Sequence, residues 1–333
     1  MRKRERLEHT LAGEAVDRPP VFVMRHWPGD DLRAADLAHA CQLFQQTYDW
    51  DLAVIAPASN FSVTGYGLDD RWSGALNGQR EVTRPIIERS LDWTELRPLD
   101  PTRGDLGRHL ECARLLDEVW AADGLPYLHV LYSPLDQAVR LGGRERVLRS
   151  LRTHPDRFRT GMNALTETTL RFIEALRRTS LAGICYVAEY ADYAFLSEQE
   201  YNAFALPFDR KILESLPERW WLNILQMPST SPMLHILSTY PVQALQWRNH
   251  ESGTTLAEAR SFFRGVLACG LSAELHLHEG TPAMIRDAAR SAMVEGERRR
   301  FVLSAGSPLL VTTPLSNLRT LRASVESARS EVG

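Results

Sequence analysis

Residues 127–132 read YLHVLY and residues 182–188 read AGICYVA. Both are short apolar runs bounded by turn residues, the pattern of strands buried on both faces. Between them, residues 144–179 carry apolar side chains at helical spacing, with a break near Pro155 that predicts two helices. Strand, helical crossover and strand call for parallel pairing. The same reading extends outward to PVFVM (20–24), DLAVIA (51–56), WLNIL (221–225), VQALQW (242–247), SAELHLH (272–278) and RFVLSA (300–305). Helical patterns separate most of these runs: 31–48, 256–270 ending in glycine, and 281–296, where Thr281 and Pro282 form a start signal and Gly296 a stop. The eight runs predict an α/β chain folded as a (β/α)8 TIM-type barrel, one domain over residues 1–333. Residues 57–126 are expected as an insertion between strands 2 and 3, with Asn77-Gly78 as a hairpin signal inside it. No GxGxxG turn follows the first run, which weighs against an open doubly wound sheet.

Composition narrows the function classes. Apolar residues make up 44% and charged residues 24%, an ordinary globular balance, and the net charge of −3 gives no electrostatic footprint for nucleic acid. No stretch approaches a membrane span, and the basic start, MRKRERLEHT, has no apolar run behind it. Cys41, Cys112, Cys185 and Cys269 are scattered, as in a reduced cytoplasmic protein, and read as core thiols rather than nucleophiles.

Barrel chemistry sits at the carboxyl ends of the strands. Here those ends carry Arg25, His26 and Trp27 after the first run, Asn60 after the second and Tyr132 after the third. Glu189 and Tyr190 follow the fourth, Gln226 the fifth, Arg248 and His250 the sixth. His276, His278 and Glu279 end the seventh and Ser307 follows the eighth. Such a rim of cations, imidazoles and carboxylates predicts a pocket for a small carboxylate.

Three stretches carry a resemblance: RERLEHTLAGEAVDRPPVFVMR (4–25), the segment 151–213 with LSEQEYNAFALPF inside it, and 280–326. Together they resemble the uroporphyrinogen decarboxylase superfamily over nearly the whole chain. The resemblance implies a distorted (β/α)8 barrel and two chemistries: cofactor-free decarboxylation of porphyrinogen acetates, and zinc-dependent methyl transfer between corrinoid proteins and thiols. The decarboxylase pattern has two arginines after strand one; Arg25 matches the first, and Gly29 stands at the second. The family aspartate that holds the pyrroles falls at Ala58, its tyrosine near Arg140 and its late histidine at Ser307. Uroporphyrinogen is therefore not the expected substrate. The methyltransferase zinc ligands fall at Asn223, Leu225 and Ser307, so that site is not expected either.

Roles can be assigned to the residues on this basis. Arg25, His26, Glu189 and His278 are the candidate catalytic groups. Arg25 would clamp a carboxylate or protonate a carbanion, or else form a structural ion pair. Glu189 or a histidine would move the proton. Trp27, Asn60, Tyr132, Tyr190, Gln226, Arg248, His250 and Ser307 would line the substrate. His276 and His278, two apart on a strand, would face the same way and are weak candidates for a metal. The leading expectation is a cytoplasmic, cofactor-independent enzyme that cleaves a C–C bond in a small organic carboxylate. Methyl transfer in the corrinoid and thiol branch, or ligand binding without catalysis, are the alternatives. The expected partner is that small molecule, with no nucleic acid or membrane, and a homodimer is compatible with the reading.

Overall fold

The computed structural model describes residues 1–297 and 299–330. Strands β1 (Ala53–Ile55), β4 (Tyr127–Tyr132), β5 (Gly183–Val187), β6 (Ile224–Met227), β7 (Ala244–Trp247), β8 (Val266–Leu271) and β9 (Phe301–Ala305) form one parallel sheet in that order. An antiparallel pair, β2 (Asp69–Arg71) and β3 (Glu81–Arg84), stands apart from it. Every residue of the seven parallel strands is buried, which explains why they read as unbroken apolar runs. Helices connect successive strands, among them Arg144–Thr153 and Pro155–Leu176, which meet at the expected break. No helix among the described residues is long and apolar enough to cross a membrane.

The sheet curls, in keeping with a TIM-type barrel, but the described ladder has seven strands where eight were expected. Residues 20–25 form no strand. They touch β9 and the chain just after it through isolated bridges, Val21 to Leu303 and Arg25 to Leu309, and the Asp51 N–H donates to the Val21 carbonyl ahead of β1. Pro19 and Pro20 lack backbone donors at its start, so a full ladder cannot begin there.

A buried carboxylate holds this segment. Asp51 accepts from Arg6 Nη1 at 2.7 Å, Arg18 Nη1 at 2.7 Å and the Val21 N–H at 2.9 Å. All three side chains are buried. Arg6 also grips Asp17 with two bonds, so the helix Lys3–Ala12, the strap after it and the head of β1 share one network.

Two further expectations change. Residues 256–270 are not one helix: a helix ends at Phe262, and β8 follows at once. SAELHLH is not a strand. Ala273–His278 form a wide helical turn, with the Leu277 N–H bonded to the Ser272 carbonyl five residues back. Its alternating Glu, Leu and His imitate a strand period without being one. The ribbon between β2 and β3 is closed by residues 72–80 rather than by a two-residue Asn77-Gly78 turn. Gly78 instead packs on His26, where an added Cβ would lie 2.6 Å from the histidine Cβ, at φ +73°.

Replacing Asp51 with alanine leaves two buried guanidiniums short of a partner. Such losses cost about 3–5 kcal/mol. The lower end is expected because Arg6 keeps Asp17 and Arg18 keeps Glu326. Urea denaturation of Asp51→Ala checks this; a loss under about 1 kcal/mol would show that the clamp does not hold the segment.

Candidate functional site

β4 ends at Tyr132, and Ser133-Pro134 begins a helix immediately. Ser133 Oγ accepts from the Asp136 N–H at 3.0 Å, and Pro134 occupies the first turn, where its missing donor costs nothing. The helix Pro134–Gly142 therefore leaves the strand end with Asp136 and Arg140 one turn apart on the same side. Asp136 is fully buried and accepts the N–H groups of Glu189 at 3.0 Å and Tyr190 at 3.1 Å, fixing the loop after β5. Arg140 Nη1 donates to the Ser59 carbonyl at 2.6 Å and to Asn60 Oδ1 at 3.0 Å, fixing the loop after β1. Its guanidinium lies 4.1 Å from the centre of the buried Tyr132 ring. One helical turn thus braces the carboxyl ends of β1 and β5.

Between these loops lies a cavity of about 400 Å3. Arg80, Arg140, Arg144 and Arg146 line it, with Asn60, Gln79, Glu189, Tyr190 and the Gly142-Gly143 turn. Arg80 is neutralised by the buried Asp31, which takes both Nε and Nη2. Arg144 lies over the Phe195 ring at 5.0 Å and near Tyr190. No acidic side chain among the described residues pairs with Arg140, Arg144 or Arg146.

The electrostatics follow from burial. Asp136 is pushed up to about 7 by desolvation, aided by the charge of Glu189, against two backbone N–H bonds and Arg140. Burial also raises Tyr190 to about 12, and both carboxylates add to the effect. An anion-binding floor beside Glu189 can hold a substrate carboxylate and move a proton next to it, while Asp136 stays buried behind the wall.

The structure gathers Asn60, Glu189 and Tyr190 here, with Tyr132 beneath Arg140. It does not bring the remaining candidates to this cavity. Met24 points inside the curl of the sheet, its sulfur 3.6 Å from Gln226 Nε2. Arg25, next along the chain, therefore faces outward. Its Nη2 donates to the Val311 carbonyl, its guanidinium lies 4.4 Å from the Trp27 ring centre, and both residues line a separate groove against the helix Ala34–Tyr48. His26 is buried, bonded through Nδ1 to the Pro57 carbonyl, and desolvation pushes it down to about 4, so it is neutral at pH 7. Gln226 donates to Gln246, which donates to Ser304, forming a buried polar string across β6, β7 and β9.

Arg248 pairs with Glu274 at 2.8 Å beyond β7. His250 bonds the Gly270 carbonyl, and its ring stands 4.7 Å from that of His276. His276 and His278 lie on a helical turn, where residues two apart point in different directions, so the expected shared face does not exist. The expectation that Arg25, Glu189, Arg248 and His278 ring one cavity is corrected on these grounds. Ser307 is buried and lies outside the cavity.

Arg80, Asp136, Arg140, Arg144 and Arg146 were absent from the sequence-based site. A signal for two of them existed: Ser133-Pro134 at a strand end starts a helix, and Asp136 and Arg140 follow with a spacing of four.

The uroporphyrinogen decarboxylase (URO-D) family profile matches residues 73–328. The chain belongs to this family. Its full length is also similar to methylcobamide:CoM methyltransferase MtbA of Methanosarcina acetivorans, 20% identical, covering 98% of this chain and 97% of the relative. Among solved structures, a methyltransferase from Methanosarcina mazei aligns with a TM-score of 0.86 at 18% identity, over 98% of this chain and 99% of that one. A B12-independent methionine synthase from Shewanella sp. W3-18-1 aligns with a TM-score of 0.62 at 11% identity, over 95% and 99%. Both structural likenesses concern the fold.

The zinc expected of the family's methyltransferase branch does not fit the residues present. Asn223 Oδ1 accepts from the Ile184 N–H, and Nδ2 donates to the Trp220 carbonyl and Gln243. Leu225 is apolar and fully buried. The four thiols are buried as well, and desolvation raises Cys41 and Cys185 to about 12. Among the described residues no three of His, Cys, Asp and Glu are placed to hold a metal ion.

Asp136 supplies a pH test. Folding raises its pKa from 3.8 to about 7, so the folded chain binds more protons between those values. Its contribution to stability is therefore present below pH 3.8 and is lost as pH rises toward 7, by at most about 1.4 kcal/mol per pH unit. The neutral histidines oppose this slope, so the measurement is the stability of wild type minus that of Asp136→Asn at each pH. That difference should fall from pH 4 to 7. A flat difference would mean that Asp136 is ionised throughout.

Proposed function

We propose that this URO-D family member is a methyltransferase acting on a small organic carboxylate held in the cavity between the β1, β4 and β5 loops. The cavity itself carries the reading: three arginines without acidic partners converge there with one available carboxylate, Glu189. Arg140 is already fixed by Ser59 and Asn60, so it meets a substrate anion with little further ordering. The bond between the methyl group and its donor breaks with the electron pair left on the donor, the acceptor's thiol or hydroxyl forms the new bond to the methyl carbon, and Glu189 takes the proton that the acceptor gives up. Asp136 holds Glu189 in place through its backbone. Full-length similarity to a methylcobamide:CoM methyltransferase supports methyl transfer as the reaction class. In this reading the arginine floor and Glu189 stand where a metal-bound thiolate is lacking.

One observation favours a second reading. The positions at the head of β6 hold Asn223 and Leu225 and no metal ligand, and a site built of cations and a proton donor also suits cofactor-independent decarboxylation. Incubating the purified chain with methylcobalamin and small carboxylic acids bearing a thiol or hydroxyl separates the two. Methylated acid, with matching loss of methylcobalamin, is expected. Glu189→Gln should lower the rate about 100-fold or more. Carbon dioxide released from the same acids, with methylcobalamin intact, would decide for decarboxylation.

Uroporphyrinogen is not expected to react. A tetrapyrrole with eight carboxylates needs several cations and a central carboxylate, and Gly29 and Ala58 stand at two of those positions. Catalytic formation of coproporphyrinogen by the purified chain would overturn this.

A further inference from the structure

The cavity's charge balance says more about what it takes. Glu189 has no cationic partner within ion-pair distance among the described residues, and Arg140, Arg144 and Arg146 have no acidic one. Arg80 is already matched by Asp31. Asp70 lies 3.9 Å from Arg80 as well, and Asp136, behind the wall, is mostly ionised above pH 7, so the cations left without a partner fall into two groups: Arg140 at the inner end, and Arg144 and Arg146 at the outer one.

The backbone adds to this. Gly142-Gly143 form part of the wall, and the helix Arg144–Thr153 starts directly after them. Gly143 at its head offers no capping side chain, and the Gly143 carbonyl receives its first bond from the Val147 N–H. The donors of Arg144, Glu145 and Arg146 are therefore free of protein partners, at the positive end of the helix. At φ +79° and ψ 159°, position 143 has a backbone that only glycine adopts readily. The turn thus brings the helix end to the cavity, and Arg144 and Arg146 flank it from the solvent side.

We infer that the substrate is a dianion, with one oxyanion group held by Arg140 at the inner end and further negative charge held at the Gly142-Gly143 turn by Arg144, Arg146 and the free N–H groups. This rests on reading the cavity as the substrate site. Dicarboxylates and phosphate esters share that chemistry; a singly charged acid would engage only one of the two cationic groups. Arg144 and Arg146 are exposed, so their replacement leaves the core untouched.

Calorimetric titration with acetate, succinate and inorganic phosphate, at pH 8 and constant ionic strength, tests the inference. At that pH phosphate is mainly doubly charged. Succinate or phosphate should bind at least 10-fold more tightly than acetate; which of the two binds better tells a dicarboxylate site from a phosphate site, and either supports a dianion. Arg144→Gln should reduce that preference several-fold, as should Arg146→Gln, with acetate binding changed less. Equal affinity for acetate and both dianions, an unchanged preference in both variants, or no binding by any probe would overturn the inference. Failure of the parent reading looks different: dianion preference persists while Glu189→Gln leaves turnover unaffected.

Discussion

A parallel sheet that curls must bring its first chain segment back to its last strand, and here that join rests on one buried carboxylate. Asp51 sits ahead of β1 and holds Arg6, Arg18 and the Val21 N–H together. Residues 20–25 have only isolated bridges to β9 and the chain just after it, so backbone pairing supplies little of their order. The charge network supplies the rest. A buried carboxylate with two guanidiniums and a backbone donor is fully satisfied, which is the condition under which a buried charge fixes structure rather than weakening it. The chain beyond the strap depends on this clamp. Met24 reaches the Gln226 string inside the sheet because the segment is held in register there, and Arg25 faces the outer helix for the same reason.

The site repeats this logic at the opposite end of the sheet. Loops after different strands would drift independently, since nothing in a parallel sheet ties their tips together. The turn that starts at Ser133 ties three of them. Asp136 takes two donors from the β5 loop, and Arg140 gives two bonds to the β1 loop. The hairpin side is joined by Arg80, which reaches the buried Asp31 while its backbone N–H donates to Ser59. Polar groups that would be costly to bury alone are satisfied by each other, and the space they leave carries positive charge. Binding capacity here is a by-product of the bracing.

Much of this fold was legible because its strands are buried on both faces. YLHVLY matched β4 to the residue, and the runs at 182–188 and 300–305 matched β5 and β9 within one residue at each end. The miss at β8 has a physical origin. VLACGL follows a helix after only three residues and contains glycine, while ELHLH mimics the two-residue period of a strand. Periodicity alone cannot tell a wide helical turn from a strand over so few residues. The site was less legible. Glu189, Tyr190 and Asn60 stand near strand ends, and strand ends can be read. Arg144 and Arg146 lie beyond the first helix after β4, and only the glycine turn folds them back over the cavity.

Arg25 shows where reading by position fails. It stands directly after the first apolar run, at a position where the family resemblance implies a substrate cation. Yet alternation along an extended segment assigns Met24 and His26 to one side and Arg25 to the other. The interior side is already filled by Met24 against Gln226, so the guanidinium turns to Trp27 and the Val311 carbonyl. The cation that lines the cavity is instead Arg140, which comes from the β4 side and stacks on Tyr132. The resemblance placed a tyrosine near that position. An arginine there, braced by Asn60, puts a cation beside Glu189 in the cavity lining where a tyrosine would offer a hydroxyl. On the proposed reading, substrate choice would rest on the loop that closes over β4 and not on residues 20–25.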